Sequence, residues 1–333
     1  MLKVGIIGAG FMGGMHARCY KALPDKCELK GLADLRSEKA KELEENLKVK
    51  IYNQAEELIG EKDIDIIDVC LPTYLHHQYV LKAIKAGKNV LCEKPIALTV
   101  KEGEEMVKAA KKAGVKFMIA QVIRFWPEYV YLKELYDRKE LGKLKSIVMT
   151  RLSPRPVWGW ENWLQQPAKS GGALVDLHIH DTDYCLYLLG WPKKISSRGV
   201  KTKFGWDHIF STFTYRGGVV ASLEGGWDMP DKFPFSMAFT ANFEKGTVEY
   251  NSRHNIFNIY KTTGETESPK LGVEMEAKGT GGNISSLGGY VKEIEYFLNY
   301  CLGQDVPKII TPEEAVESLR LVLEEMKLAE RKR

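Results

Sequence analysis

The sequence predicts an α/β domain with a doubly wound parallel sheet, followed by a domain with a mostly antiparallel sheet. Over roughly the first 120 residues, short apolar runs alternate with amphipathic segments, as in repeated β-α-β units. After about residue 122, alternating apolar and polar residues are joined across glycine turns, which is typical of β-hairpins. Because 333 residues exceed the usual size of one hydrophobic core, two domains are expected, at 1–122 and 123–333.

Composition excludes several classes of protein. The chain has 44% hydrophobic, 10% aromatic and 28% charged residues, which fits a folded globular protein rather than a disordered or collagen-like one. Its 48 basic and 44 acidic residues are interspersed, without the basic block of a nucleic-acid-binding arm. No apolar stretch reaches the roughly 18 residues of a membrane helix, and no cleavage site follows the apolar N-terminus. We therefore expect a cytoplasmic protein that binds neither nucleic acid nor membranes.

The six cysteines are scattered along the chain, and no two of them form a CxxC pair. No tight group of cysteines and histidines resembles a zinc site. Reduced, mostly buried thiols and no bound metal are therefore expected.

Five apolar runs of the first domain are predicted to be parallel strands. They are Lys3–Ile7, Glu28–Ala33, Ile64–Leu71, Asn89–Cys92 and Lys116–Ala120. The third run is apolar almost throughout, which suits a strand covered on both faces. Four amphipathic segments between the runs are predicted helices: Met12–Ala22, Leu35–Leu47, Leu75–Ala86 and Thr99–Ala113. Thr99 and Glu102 form a capping box that marks the start of the last helix.

Two hairpins are predicted in the second domain. The runs His208–Tyr215 and Val219–Gly225 are joined across Arg216-Gly217-Gly218, and Phe235–Phe243 and Thr247–Asn251 are joined across Lys245-Gly246. Such hairpins predict a mostly antiparallel sheet.

Helical periodicity returns near the C-terminus. Val291, Ile294, Leu298 and Cys301 share a helix face. A last helix, at about 311–331, is predicted from a capping box and from Pro312 at the first helical position. Its apolar stripe consists of Val316, Leu319, Leu323 and Met326. We expect this stripe to be buried, and the first domain is one surface that could cover it.

A glycine-rich segment with the pattern GxGxxG directly follows the first strand. Its residues are Gly8, Ala9, Gly10, Phe11, Met12 and Gly13. Between a strand and a helix, the first glycine permits a tight turn, the second lets a pyrophosphate approach, and the third lets helix and strand pack closely. The helix N-terminus adds N–H groups and a partial positive charge. The segment therefore predicts a dinucleotide-binding site.

Asp34 follows the second strand, 21 residues after Gly13. A carboxylate at this position can accept hydrogen bonds from the adenosine ribose, and it repels a 2′-phosphate. NAD is therefore the favoured cofactor. Arg36 could offset the repulsion, so NADP stays open as the alternative.

Two further segments follow predicted parallel strands at the sheet edge where open α/β folds bind ligands. Glu93, Lys94 and Pro95 come directly after the fourth strand, and residues 71–76 (LPTYLH) end the third. A lysine in this position is expected to point into the crevice rather than toward bulk solvent.

Residues 171–183 form a polar cluster within an otherwise apolar, helix-like stretch. Asp176, His180 and Asp183 are spaced i, i+4 and i+7, so a carboxylate and an imidazole can reach the same substrate. Metal binding by this set lacks a further ligand motif. The alternative for His180 is a hydrogen-bonded core histidine, and His178, which lies off this face, is expected to be structural.

Three tryptophans, Trp158, Trp160 and Trp163, lie just before this cluster, beside arginine, glutamate and asparagine. Indole faces pack against the C–H surfaces of sugars while polar groups bind the hydroxyls. Burial of the rings in a core or a subunit contact is the alternative.

Taken together, the glycine motif, Glu93-Lys94-Pro95 and the Gly171-Gly172…Asp176…His180 pattern resemble the Gfo/Idh/MocA family, which includes glucose–fructose oxidoreductase and inositol dehydrogenase. Arg124-Phe125-Trp126-Pro127 resembles the family motif that follows the cofactor domain, and Ile309–Ala329 resembles its closing helix. The resemblance spans essentially the whole chain. Val122-Ile123-Arg124-Phe125 departs from the Asn-Arg-Arg-Phe typical of inositol dehydrogenases in the family, which weakens a specific inositol assignment.

The resemblance implies an α/β Rossmann domain followed by an α+β domain with a large open, mainly antiparallel sheet. It implies hydride transfer between NAD(P) and a secondary alcohol or ketone of a sugar, cyclitol or nucleotide-sugar, with Lys94, Asp176 and His180 as the catalytic set. The candidate cofactor-binding residues are Gly8, Gly10, Phe11, Met12, Gly13, Asp34, Arg36, Thr73, His76, Glu93 and Lys94. The candidate substrate-binding residues are Arg124, Trp158, Trp160, Trp163 and Asp176.

Alcohol oxidation requires a base for the hydroxyl proton. His180 is preferred, because an imidazole has an ordinary pKa of about 6.5. The Lys94 ammonium can stabilise an alkoxide-like oxygen, and with a lowered pKa it could accept the proton instead.

Two other functions stay open: an NAD-dependent glycosidase of the same family, and a regulator that binds the cofactor without catalysis. The intact catalytic set argues against the regulator. A broad sheet with one apolar face needs cover, which predicts a homodimer or homotetramer.

Overall fold

The computed structural model describes residues 1–36, 44–45, 48–271 and 287–330. The chain divides into two compact units. The first comprises Met1–Phe125 and Val273–Glu317, and the second comprises Trp126–Gly272 and Ser318–Arg333. Residues 288–317 therefore group with the N-terminal part of the chain, whereas the sequence assigned everything after residue 122 to the second domain.

Helices and strands alternate in the first unit, and strands dominate the second. The described helices are α1 (Phe11–Lys21), α2 (Ala55–Gly60), α3 (Thr73–Lys85), α4 (Val100–Ala113), α5 (Pro127–Arg138), α6 (Pro167–Ser170), α7 (Ile179–Leu189), α8 (Gly288–Cys301) and α9 (Pro312–Glu330). The strands of the first unit are β1 (Leu2–Ile7), β2 (Cys27–Ala33), β3 (Lys50–Tyr52), β4 (Ile66–Val69), β5 (Asn89–Glu93) and β6 (Phe117–Ala120). The strands of the second unit are β7 (Leu144–Pro154), β8 (Lys194–Thr202), β9 (Gly205–Thr214), β10 (Val220–Met229), β11 (Ser236–Phe243), β12 (Gly246–Asn251), β13 (Ile256–Lys261) and β14 (Thr266–Glu267).

The first unit is built on a parallel sheet with the strand order β3-β2-β1-β4-β5-β6. The order reverses between β1 and β4, so the carboxyl ends of these strands form the switch point at which open α/β sheets bind ligands. Every residue of β4 is buried, as its almost continuously apolar pattern predicted. The five predicted strands are confirmed. β3 was missed because three residues are too few to show a pattern.

The helices of the first unit are confirmed for three of the four predicted segments, and most of the predicted helix Leu35–Leu47 lies outside the described residues. The capping box of α4 has formed: Thr99 accepts a hydrogen bond from the Glu102 amide, and Glu102 accepts one from the Thr99 amide. Gly114 ends this helix in the left-handed conformation, at φ 69°. α2 was missed because it has only six residues.

The second unit contains an eight-stranded sheet in the order β14-β13-β12-β11-β7-β10-β9-β8. Both predicted hairpins, β9–β10 and β11–β12, are antiparallel as expected. The central pair β7–β10 is parallel. The sheet is therefore mixed but mostly antiparallel, which confirms the predicted fold class.

The two faces of the second sheet differ in exposure because side chains alternate along each strand. One face carries buried residues such as Ile147, Leu223 and Phe239. On this face the Tyr129 ring of α5 packs 5.2 Å from the Phe239 ring, centroid to centroid. The opposite face is exposed and includes Val148 and Phe210.

The C-terminal helix α9 begins with the predicted capping box, in which Thr311 and Glu314 exchange hydrogen bonds. Its predicted apolar stripe is only partly correct. Leu323 and Met326 are half-buried, whereas the polar Ser318 and Glu325 are fully buried. Ser318 and Glu325 can be buried because both side chains form buried hydrogen bonds. No helix among the described residues is both long and apolar enough to cross a bilayer.

Candidate active site

The turn between β1 and α1 requires glycine at two positions. Gly8 adopts a φ of +103°, and a Cβ atom there would lie 2.4 Å from the carbonyl oxygen of Cys70. A Cβ atom on Gly13 would lie 1.8 Å from the carbonyl oxygen of Gly8. Since neither position can hold a side chain, helix α1 lies directly against the strand ends, as the GxGxxG motif predicts.

The N-terminus of α1 is open above Gly10. Gly10 at the N-cap offers no side chain to cap the helix, and among the described residues a Cβ on Gly10 would come within 4 Å of Arg36 alone, at 3.9 Å. Phe11 and Met12, the first helical residues, are partly exposed. Backbone N–H groups at a helix N-terminus and the helix dipole attract a phosphate. This cradle therefore fits the pyrophosphate of a dinucleotide.

Asp34 lies beside the turn between β1 and α1, and both of its carboxylate oxygens accept hydrogen bonds. Its carboxylate accepts hydrogen bonds from the Ala9 amide at 2.7 Å and from the Arg36 amide, Nε and Nη2 at 2.8, 3.0 and 2.9 Å. Burial favours a raised pKa for Asp34, but these hydrogen bonds outweigh it and lower the pKa below its usual value. Asp34 is thus ionised, and Arg36 compensates its charge.

Lys94 lies directly beyond β5 and is partly exposed. Its backbone N–H donates to Oε2 of Glu93 at 3.0 Å, and Glu93 itself is 6% exposed. The hydrogen bond orders the turn that presents the Lys94 side chain.

His76 and Thr73 lie in the first turns of α3 and are almost completely buried. The two ring nitrogens of His76 lie 2.8 Å from the carbonyl oxygens of Leu71 and Pro95. Burial lowers the pKa of His76, and in its neutral form the ring donates a hydrogen bond to one of these two carbonyls and not to both. Its ring therefore lies between the loops after β4 and β5, and the expected contact with the cofactor stays a prediction.

Asp176 and His180 lie on one continuous helical stretch of the second unit. A π-helical turn at Leu174–His178 leads directly into α7. Asp176 and His180 are both partly exposed, while the residues between them are buried. π-helical turns are rare and occur frequently at functional sites. The structure therefore presents this carboxylate and this imidazole on the same accessible side.

Asp183 does not share that side, contrary to the i, i+4, i+7 prediction. It is fully buried and accepts a hydrogen bond of 2.6 Å from Ser318 of α9. The buried carboxylate of Asp183 is satisfied by this hydrogen bond, so it serves packing within the second unit.

His178 is buried and structural, as expected. Its Nε2 lies 2.8 Å from Oε2 of Glu325, and Thr182 donates to the other oxygen of Glu325, also at 2.8 Å. A Cβ at Gly225 would lie 2.5 Å from the His178 ring, so the strand passes directly against it. These contacts fix the helix that carries His180.

The three candidate tryptophans have different environments. Trp163 packs against a buried cluster that includes Leu164 and Trp227, which favours the core alternative for this ring. Trp160 is partly exposed, and Trp158 is 59% exposed. The segment begins at Arg155, which forms two hydrogen bonds with the buried Asp207, at 2.7 and 2.8 Å. Trp158 is therefore the ring best able to meet a ligand.

Arg124 was expected to bind substrate, and in the structure its guanidinium is buried and holds two partners within the first unit. The residue is 2% exposed, and its Nη1 donates to the carbonyl of Ile309 at 2.8 Å and to Glu314 at 2.7 Å. The sequence could not show this clamp, because its partners are more than 180 residues away along the chain.

Sequence reasoning also missed His16 and Asp68, which form a buried cluster with Glu93 in the first unit. A single histidine on a helix and a single aspartate in an apolar strand are weak signals. The only available signal was the position of His16, three residues after the last glycine of the motif.

Two family models match this chain. Residues 2–121 match the NAD-binding Rossmann-fold domain of the Gfo/Idh/MocA oxidoreductase family, and residues 129–249 match the Gfo/Idh/MocA C-terminal domain.

The chain is also similar to individual proteins, at 22 to 33% sequence identity. The 2,7-anhydro-N-acetylneuraminate hydratase of Escherichia coli (strain K12) is 28% identical over 294 residues, which cover 82% of this chain and 76% of that protein. The myo-inositol 2-dehydrogenase of Thermotoga maritima is 33% identical over 190 residues, which cover 57% of this chain and 55% of that enzyme. The structure of the UDP-N-acetylglucosamine 3-dehydrogenase from Acidithiobacillus ferrooxidans has the same fold, with a TM-score of 0.80, 22% identity and coverage of 99% of this chain and 98% of that chain. From the two family models and the fold, the chain belongs to the Gfo/Idh/MocA family of NAD-binding oxidoreductases.

Proposed function

We propose that this oxidoreductase transfers a hydride between NAD and a secondary alcohol or ketone of a sugar, cyclitol or nucleotide-sugar, with Lys94, Asp176 and His180 as the catalytic set. The supporting observation is the accessible pair Asp176 and His180 on one helical stretch, in a family whose first domain binds NAD. Relatives named for activity on an inositol and on a UDP-sugar support the substrate class.

The cofactor would be held by residues that the first unit already arranges. The uncapped N-terminus of α1 above Gly10 suits the pyrophosphate, and Asp34 with Arg36 suits the adenosine ribose. When bound, NAD supplies the hydride acceptor. Thr73, Glu93 and Lys94 would then border its nicotinamide end, since β4 and β5 end there.

The chain's own residues supply the proton chemistry. His180 would accept the hydroxyl proton while the carbon-bound hydrogen leaves as hydride, which converts the alcohol to a carbonyl. The Lys94 ammonium would stabilise the negative charge that develops on the oxygen. Asp176 would bind a neighbouring hydroxyl or orient His180, and Trp158 would pack against the sugar ring.

A panel of sugars and polyols tests this proposal. NADH absorbance should rise when the protein and NAD meet a suitable substrate, and the carbonyl product should be detectable by mass spectrometry. NAD binding without turnover of any member of the panel would favour the regulator instead.

A reaction without net oxidation is the second candidate. It is favoured by the 28% identical relative, whose name describes a hydratase, and it includes the NAD-dependent glycosidase. In that case a p-nitrophenyl glycoside or an anhydro-sugar would be consumed with NAD present, and no NADH would accumulate. Product analysis in the same panel separates the two functions.

We expect NAD to bind more tightly than NADP, because Asp34 is ionised and repels a 2′-phosphate. Arg36→Ala should widen this preference, since it removes the cation that compensates Asp34 and frees two carboxylate positions for the ribose. Asp34→Ala should narrow the preference by about tenfold or more, as expected for a charge-assisted contact. Titrations of both cofactors followed by tryptophan fluorescence measure these affinities. Tighter binding of NADP to the unmodified protein would contradict the assignment.

We also infer that the protein forms a homodimer or homotetramer through the exposed face of the second sheet. Val148, Phe210 and Val220 lie on this face and are 49, 50 and 37% exposed. Phe210→Asp should shift the protein to monomers in size-exclusion chromatography with light scattering, because it places a charge in an apolar contact. The matched control is Leu302→Asp, at a similarly exposed apolar residue of the first unit. A strict monomer of the unmodified protein at micromolar concentration would overturn this inference.

A further inference from the structure

A cluster of polar side chains is buried beneath the glycine motif of the first unit. His16 of α1 and Asp68 of β4 are fully buried, and Glu93 at the end of β5 is 6% exposed. Buried ionisable groups are costly unless they are paired, so the arrangement of the partners decides what the cluster does.

The cluster forms a continuous chain of contacts that ends at Lys94. The Tyr20 hydroxyl donates to Asp68 at 2.9 Å, and Nδ1 of His16 lies 2.7 Å from the same oxygen. Nε2 of His16 lies 3.1 Å from Oε1 of Glu93, within ion-pair distance. The other oxygen of Glu93 accepts the backbone N–H of Lys94 at 3.0 Å. His16 therefore connects a buried carboxylate to the residue that orders the Lys94 turn.

The charges along this series of contacts are complementary. Burial opposes a charge on His16, but Asp68 and Cys70 outweigh it, and the pKa of His16 is raised well above its usual value. The pKa of Glu93 is lowered, because His16 and Lys94 outweigh the effect of its burial. His16 is thus an imidazolium with both ring nitrogens protonated, between two carboxylates.

Other ionisable groups near His16 come from α8 and α1. From α8, the Tyr290 ring lies 6.4 Å from the His16 ring, and the buried Glu293 belongs to the same helix. Burial raises the pKa of Tyr290 and, on α1, of Cys19, so both are neutral.

A metal site is the other chemistry that His16, Asp68 and Cys70 suggest, since their ligand atoms lie within 4.8 Å of one another. A metal would require a neutral imidazole and a thiolate. Burial raises the pKa of the Cys70 thiol, and His16 is protonated. The cluster is therefore better described as a set of paired charges, in which His16 is hydrogen-bonded to Asp68 and forms an ion pair with Glu93.

We propose that His16 is a positioning residue for the reaction: through Nε2 it holds Glu93 in the rotamer that binds the Lys94 amide, and so it sets the direction of the Lys94 side chain. This inference rests on the proposed role of Lys94 in catalysis. His16 touches neither substrate nor cofactor in this scheme.

Two substitutions divide the contacts of His16. In His16→Gln, the side-chain amide can replace Nε2 and keep a donor toward Glu93, whereas in His16→Asn it can replace only Nδ1 and keep a donor toward Asp68. In His16→Asn, Glu93 is released, so the Lys94 amide should exchange with deuterium at least about tenfold faster than in the unmodified protein. In His16→Gln the increase should be much smaller. Residue-resolved hydrogen exchange of the unliganded full-length protein measures this without a substrate. Equal exchange in the two variants would overturn the proposal.

Tyr20→Phe is the matched control, because it removes a hydrogen bond to Asp68 in the same helix but leaves the His16–Glu93 contact. It should lower thermal stability without faster exchange at Lys94. Should His16→Asn fail to fold, Glu93→Ala provides a second variant, since it removes the carboxylate that accepts the Lys94 N–H. Unchanged exchange at Lys94 in Glu93→Ala would also overturn the proposal.

Hydride transfer with the most active sugar or polyol of the panel completes the test. At saturating NAD, His16→Asn should lower kcat about tenfold or more, and His16→Gln should retain most of the unmodified kcat. An unmodified rate in Lys94→Ala would instead refute the proposed function, and the exchange experiment would still report on the His16–Glu93–Lys94 chain.

Discussion

Lys94→Ala and His180→Ala should each lower the rate of hydride transfer by about a hundredfold or more, since each removes a positioned group that moves or stabilises a proton. His180 belongs to the unit without the dinucleotide motif, so its replacement should change NAD affinity little. Lys94 directly follows a strand of the parallel sheet, and its replacement is expected to weaken cofactor binding as well. Single-turnover NADH formation at saturating NAD measures the chemical step by itself.

Matched controls are available in both units. Lys85→Ala and His254→Ala replace exposed residues of the same types and should leave the rate unchanged. If His180→Ala transferred hydride at the unmodified rate between roughly pH 6 and 9, the base would be Lys94 or a water, and His180 would be a packed helix residue.

Arg151→Met should lower the free energy of unfolding by about 3–5 kcal/mol, the usual cost of breaking a buried ion pair from one side. Arg151 and Asp181 are both buried, and Nη2 and Nε of Arg151 lie 2.7 and 3.2 Å from the two carboxylate oxygens. The Tyr129 hydroxyl accepts a further hydrogen bond from Arg151 at 3.1 Å. The substitution therefore leaves a buried carboxylate without its cation.

Urea unfolding followed by tryptophan fluorescence measures this loss. Arg151→Met combined with Asp181→Leu should recover much of the stability, because neither charge then remains buried. Arg138→Met is the surface control: its ion pair with Glu134 is largely exposed and should contribute less than about 1 kcal/mol. A loss for Arg151→Met as small as that of Arg138→Met would contradict the prediction.

Short-range patterns were sufficient for much of the fold. Continuous apolar runs identified the parallel strands, and the glycines at positions 8 and 13 identified the turn beneath the dinucleotide cradle. Thr311 and Glu314 marked the start of α9 correctly. These features could be predicted because backbone sterics, alternation and helix capping act over only a few residues.

Contacts between distant residues decided the rest. Strands β7 and β10 pair in parallel. Arg124 donates hydrogen bonds to Ile309 and Glu314. Asp183 accepts a hydrogen bond from Ser318. His16 joins Asp68 to Glu93 only because three separate chain segments meet at the switch point of the sheet. For a buried polar side chain such as His16, the sequence reveals the chemical group and not the partner. Its partner, and hence its charge and its role, depends on which segments the tertiary structure packs around it, since a buried ionisable group is stable only where a complementary group is brought to it.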